Sequence, residues 1–249
     1  MKTFAIDSMK TLAIELRKCK RTGYIPLMLA VGILGAAYAF ANFAVRKDTL
    51  LRLPLAPMDI LLTQLYGMIM VLNMFGIIVA ACGIYHVEFK GRAVKKMYML
   101  PISTSALYFC KFLLLTALFA FAVCLQNLAL ARIGVSDLPA GTFDMPALVM
   151  FSVYSFLTSM PVLSCMLFVS SRCENIWIPL GIGVAGFLSG MALAPANNAF
   201  FLASPFVIML QPAVAMSADP NGVVAAVAFA ETLLFLCAGL WTAKYLHYE

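Results

Sequence analysis

The stretch from Ile60 to Tyr85 reads ILLTQLYGMIMVLNMFGIIVAACGIY and contains no charged residue. A helix that crosses the hydrocarbon core of a bilayer needs about 20 mostly apolar residues. This stretch is longer than that, and five other runs qualify: Tyr24–Val45, Leu107–Ala131, Ala147–Val169, Ile176–Ala194 and Val223–Ala243. The composition agrees. Of 249 residues, 63% are apolar and 11% are charged, whereas a soluble domain has about 45–50% and 25%. A water-soluble fold of this size cannot enclose so much apolar surface, which excludes a soluble enzyme, a nucleic-acid-binding module and a disordered tail. The expected fold is an all-α polytopic membrane protein with six transmembrane helices.

A seventh apolar stretch, Ala199–Met216, carries Pro205, Pro212 and Gln211. Interior prolines remove helix hydrogen bonds. Within the loop 195–222 it therefore reads as one or two short segments that lie at the membrane surface or dip in; a count of seven spans is the alternative. With six spans both termini share one side. Placing them in the cytoplasm puts 13 basic residues inside, namely Lys2, Lys10, Arg17, Lys18, Lys20, Arg21, Lys90, Arg92, Lys95, Lys96, Lys111, Arg172 and Lys244. It leaves 4 outside: Arg46, Lys47, Arg52 and Arg132. Short loops follow the positive-inside rule, so this orientation is favoured, with Trp177 and Trp241 at the inner interface. The net charge of +6 then serves topology and contact with anionic lipid rather than nucleic acid.

Residues 1–22 are basic and amphipathic and do not resemble a secretory signal. At 100° per residue, Ala5, Ile6, Met9, Leu12, Ala13, Leu16 and Cys19 share one arc; Asp7, Lys10, Glu15, Arg17 and Lys18 fall outside it. This pattern predicts a helix lying flat on the inner leaflet, the alternative being a disordered basic leader. Gly23 and Pro26 turn the chain into the first span. The seven cysteines include no Cys-x-x-Cys pair and read as small core filler rather than as disulfide or metal ligands.

The inner loop 86–106 is the longest between spans on that side. Its centre, Gly91-Arg-Ala-Val-Lys-Lys-Met-Tyr-Met-Leu-Pro101, can form a helix of two or three turns. Val94 and Met97 lie on one side, Arg92 and Lys95 on another, and Pro101 ends it. Ser103 or Ser105 can cap the third span. A short amphipathic helix beside the membrane is shaped to dock into another protein; the alternative is a solvated loop.

Glu88-x-x-Gly91, then Leu100-Pro101-Ile102-Ser103, then Tyr108 and Lys111 resemble the inner loop of ABC-2-type ABC transporter permeases. There an acidic residue closes the second span, a coupling helix follows, and a Pro–hydrophobic–Ser step leads into the third. Within that family the chain looks most like the small permeases of lantibiotic self-immunity and resistance. The residues behind this are Lys18–Thr22, Gln64, and Ser171-Arg172-x-x-Asn175 before a glycine-rich fifth span.

The resemblance implies a bacterial plasma-membrane permease that expels a lantibiotic-type peptide. It also implies two copies of a cytosolic ABC ATPase and a second, different six-span permease as partners. Glu88, Gly91, Arg92, Lys95, Lys96, Met97 and Pro101 would couple the chain to the ATPase. No Gly-x4-Gly-Lys-[Ser/Thr] occurs in the chain, so ATP and Mg belong to the partner and the chain is not itself an enzyme. An ABC-2 permease for another antibiotic, a lipid or a glycan is one rival, and a non-transporting sensor or scaffold is another.

Three further features stand out. Glu231 lies within the last span, where a carboxylate costs roughly 2.5–3.5 kcal/mol on insertion scales and marks a functional candidate. It can meet a cationic peptide, carry a proton, or bond another helix. Asn73, with Gln126 and Asn127, is a polar span residue suited to interhelical bonding, and with Glu231 it is a candidate for the substrate path. Gly186-x-x-x-Gly190 lets another helix approach closely, either within this chain or, as the resemblance implies, from the second permease. The only histidines are His86 and His247, with no His-Glu-x-x-His pattern, which leaves a metalloprotease or a serine hydrolase without its residues.

Overall fold

A computed structural model describes residues 15–16, 22–50, 54–90, 104–139, 141–196, 199–215 and 219–245. All regular structure among them is helical. We number the helices α1 (Tyr24–Leu50), α2 (Pro57–Phe89), α3 (Thr104–Asp137), α4 (Met145–Ser170), α5 (Trp177–Leu193), α6 (Pro205–Val214) and α7 (Gly222–Tyr245). Six of them, all but α6, are long and apolar enough to cross a membrane. Each overlaps one of the six runs read from the sequence; α5 is one residue shorter at either end and α3 runs six residues past Ala131.

Burial divides the spans into two groups. Over half of the most apolar stretch is enclosed in α2, α3 and α4, against about a fifth in α1, α5 and α7. α4 is central and touches α2, α3, α6 and α7; α1 packs on α3 and α2, and α5 rests mainly on α6. The core is built from large side chains. Tyr66 meets Phe151 edge-on at 5.2 Å between ring centroids, and Phe119 stacks on Phe156 at 5.7 Å. Outward-facing apolar residues such as Ile33, Leu128, Val153 and Leu188 remain exposed, as lipid-facing positions are.

α2 opens with Pro57 in its first turn and then takes a five-residue π-helical turn, Ile60–Gln64, before continuing as α-helix. Pro57 fits because the first helical amides have no intrahelical acceptor. Asn221 caps α7, its side-chain oxygen accepting from the Val223 amide at 2.9 Å, the local role expected of Asn before a helix; in the turn before α5 the Trp177 amide donates to Asn175 Oδ1 at 3.1 Å.

The proline-interrupted stretch dips inward. A 3₁₀ turn at Ala199–Ala203 leads to α6, whose Phe206, Val207, Ile208, Met209 and Leu210 are all buried. At ten residues α6 is too short to cross a bilayer, and its apolar side chains are covered by α2, α4 and α5 rather than by lipid.

One local expectation is corrected. Glu15, read from the sequence as lying outside the apolar arc, is almost fully enclosed. Its carboxylate has a cation beside it, described below, which a one-dimensional periodicity cannot register. Of the two serines read as caps for α3, Ser103 lies outside the described residues; the Ser105 hydroxyl donates to the Leu240 carbonyl of α7 at 3.3 Å, and neighbouring Thr104 bonds the Ala243 carbonyl. The start of α3 is thus tied to the end of α7.

Candidate functional site

α2 ends at Phe89 and α3 begins at Thr104. Most of the intervening coupling loop, with Gly91, Arg92, Lys95, Lys96, Met97 and Pro101, lies outside the described residues. Its two roots are described, and they meet in a charge cluster. Glu88 sits in the last turn of α2. Lys111 sits two turns into α3, where one helical face points back toward α2. The Lys111 ammonium donates to Glu88 Oε1 and to Glu15 Oε2, each at 2.6 Å. Side-chain exposure is 1% for Lys111, 1% for Glu15 and 9% for Glu88. The Tyr85 ring lies 5.6 Å from the ammonium, close enough for its negative face to add attraction.

Charges this deep cannot be left to solvent. Removing one partner of a buried ion pair typically costs about 3–5 kcal/mol because a charge remains without compensation. The cluster therefore holds three segments in one register: residue 15, the end of α2 and the start of α3. Sequence reasoning placed Glu88 and Lys111 in one loop motif and counted Lys111 among the inner charges, without pairing them or joining Glu15 to them. The pairing joins positions 96 and 23 residues apart, and its only sequence signal is a charge two turns inside an apolar run.

Midway along the bundle, Asn73 and Gln126 exchange two hydrogen bonds. Asn73 Nδ2 donates to Gln126 Oε1 at 3.0 Å, and Gln126 Nε2 donates to Asn73 Oδ1 at 2.7 Å. Gln126 Nε2 also reaches the Val31 carbonyl of α1 at 3.3 Å. Both side chains are buried. Room for the amide comes from Gly35, where a Cβ would stand 2.6 Å from Gln126 Nε2. Asn73 therefore makes a buried interhelical bond, joining α2 to α3.

Gly186 and Gly190 face α6 of the same chain. A Cβ at Gly186 would lie 2.3 Å from the Phe206 ring, and one at Gly190 would lie 3.1 Å from Phe206 Cβ. The close approach these glycines permit is taken up here by Phe206 of the same chain, the intrachain one of the two readings. Elsewhere on α5, Ile178, Ile182 and Leu188 are exposed.

Glu231 lies in α7, ten residues from its start, with Oε2 enclosed and without a hydrogen-bond partner. Elsewhere α3 and α4 leave a groove of about 440 Å³ between them, lined by Cys124, Asn127, Leu128, Val149, Val153 and Phe156 among others. Asn127 Nδ2 is spent on the Val123 carbonyl at 2.8 Å, while its Oδ1 has no partner.

Searches among characterised proteins and among solved structures find no match. A family model described as ABC-2 family transporter protein matches residues 11–190, a range that contains Glu15, Glu88, Lys111, Asn73, Gln126 and the whole loop between α2 and α3. The chain belongs to the ABC-2 transporter family: it is a membrane permease of an ABC transporter, and the ATPase is a partner chain.

Proposed function

We propose that this permease expels a lantibiotic-type antimicrobial peptide from the bacterial plasma membrane, giving immunity or resistance to the cell. It acts with two copies of a cytosolic ABC ATPase and with a second, different six-span permease, and both its termini face the cytoplasm. ATP and Mg bind the ATPase. Closure of the ATPase pair pushes on the loop carrying Gly91, Arg92, Lys95, Lys96, Met97 and Pro101. The push tilts α2 and α3 and opens a path between the two permeases.

The observation that carries the mechanism is the buried cluster at the loop's two roots, since a loop that receives a mechanical push must be rigidly seated in the bundle. The cargo rests on the likeness of Lys18–Thr22, Gln64 and Ser171-Arg172-x-x-Asn175 to lantibiotic immunity permeases. Glu231 supports it: a carboxylate oxygen enclosed without a partner suits a cationic group of the peptide, because an intramembrane acid is costly until it is matched. A lipid or another apolar cargo is the second reading, favoured by the groove between α3 and α4.

Two experiments test this. Mass spectrometry of what co-purifies with the tagged chain should find a Walker-type ATPase and a second six-span protein; absence of an ATPase would overturn the coupling mechanism. Expression of the three genes in a sensitive host should raise its tolerance to lantibiotics, and the double substitution Lys95→Glu with Lys96→Glu should abolish that protection while membrane insertion persists. Protection unchanged by the charge reversal would refute docking through this loop.

A further inference from the structure

α2 and α3 flank the coupling loop, yet they touch each other little along their length because α1 packs against both. Two polar rungs join them. One is the Asn73–Gln126 amide pair and the other is the Glu88–Lys111 ion pair. The rungs are 15 residues apart on each helix, which at 1.5 Å per residue is about 22 Å. Equal spacing on two antiparallel helices makes a ladder with no slack. The lower rung lies immediately inside the loop, with Glu88 three residues before Gly91. A push on a loop between two weakly packed helices would pry them apart at that end unless something held them.

We propose that Lys111 is the positioning residue of the transport stroke: by holding Glu88 and Glu15 at once, it makes α2, α3 and the segment around residue 15 respond to the loop as one body. The proposal rests on the coupling-loop reading above. Its chemistry follows from the cluster. An ammonium has three donors in tetrahedral directions and a full positive charge, so one lysine can bond two carboxylates from different segments and offset their charge, which a neutral amide with two donors could not do. Burial of all three groups removes the water that would otherwise compete for each bond, and the Tyr85 ring at 5.6 Å closes another side. The upper rung, made of neutral amides, holds α2 and α3 to α1 through the Val31 carbonyl. The lower rung holds them to the N-terminal segment. The stroke therefore enters at 91–103 and passes to the bundle and to the segment near residue 15 through the Lys111 side chain.

The test is amide hydrogen exchange on the full complex with its ATPase in lipid nanodiscs, with and without ATP and vanadate to trap the closed ATPase. In the native complex, peptides covering residues 10–21, 85–90 and 104–112 should all change their exchange on trapping. In Lys111→Met the change at 85–90 should persist while that at 10–21 falls at least fivefold. The exchanged pair Glu88→Lys with Lys111→Glu, which again places one cation against Glu15, should recover at least half of it. Glu15→Gln strips the charge from one limb only and should weaken the response at 10–21 while leaving 104–112 responsive, so the test survives if Lys111→Met does not accumulate. A response at 10–21 that is unchanged in both Lys111→Met and Glu15→Gln would overturn the proposal. No response at 85–90 or 104–112 in the native complex would instead overturn the coupling-loop reading itself.

Discussion

Replacing Gly186 by alanine places a methyl carbon 2.3 Å from Cε2 and Cζ of Phe206, where ordinary contact begins at 3.4 Å. The ring or the helix must yield by about 1.1 Å. Phe206 is 7% exposed and belongs to the main core, so its ring has no free volume to enter. Overpacking of this kind costs about 1–3 kcal/mol. Alanine also removes glycine's excess entropy in a helix, a gain of about 0.5–1 kcal/mol. Gly181 supplies the control: it lies in the same helix, and nothing stands within 4 Å of its added Cβ. Gly181→Ala should therefore stabilise the protein by about 0.5–1 kcal/mol, while Gly186→Ala should fall below Gly181→Ala by about 1–3 kcal/mol. The assay is unfolding of the purified chain by SDS in mixed micelles. Phe206→Leu introduced beside Gly186→Ala should cost less than the two substitutions separately, because the smaller side chain vacates the contested space. If Gly186→Ala matches Gly181→Ala in the isolated chain but weakens capture of a second permease, the glycine face is an intermolecular surface and the α5–α6 contact is wrong.

Three shorter predictions follow from other contacts. Asn73→Leu should destabilise the isolated chain by about 0.5–1.5 kcal/mol, as intramembrane hydrogen bonds do, and the double substitution with Gln126→Leu should cost less than the sum, read by the same SDS titration. Additivity would mean that the amides do not bond each other. Glu231→Leu should leave chain accumulation and stability at or above native levels while lowering protection against a cationic peptide, and Glu231→Gln should lower it as well; full protection in both variants would remove Glu231 from the substrate path. The Lys47–Asp137 pair, 2.7 Å apart and partly exposed, should contribute nothing measurable: Lys47→Ala should unfold at the native SDS fraction in physiological salt, and a clear shift would show that this pair braces α1 against α3.

The six spans were legible because their signal is local. An uninterrupted run such as Ile60–Tyr85 must hydrogen-bond its backbone within itself once it leaves water, and no distant residue alters that requirement. The helix cap at Asn221 is equally local, and so is the break before α6, where Pro205 sits in the first turn. The order of loop motifs between Glu88 and Lys111 was enough to reach the family. The site was less legible. Glu15 was assigned to the polar side of an amphipathic helix because periodicity ranks a residue by its own type and not by what stands opposite it. Lys111 was quoted in the loop motif without its carboxylate partners for the same reason. Gly186 and Gly190 announced a close approach, but a glycine states only that something comes near. That the visitor is Phe206 depends on α6 folding back among the spans.

The sequence by itself determined what the chain is made of: six crossings, one short broken segment, a basic loop and no phosphate-binding loop. These follow from the cost of exposing backbone or charge to lipid, which each segment meets alone. Only the tertiary structure decided which polar groups find one another. Lys111 bonds Glu88 and Glu15, Asn73 bonds Gln126, and Glu231 keeps an enclosed oxygen without a partner. Hydrogen bonds and ion pairs are directional and act over about 3 Å, so their partners are set by how the helices pack, a property that no single segment carries.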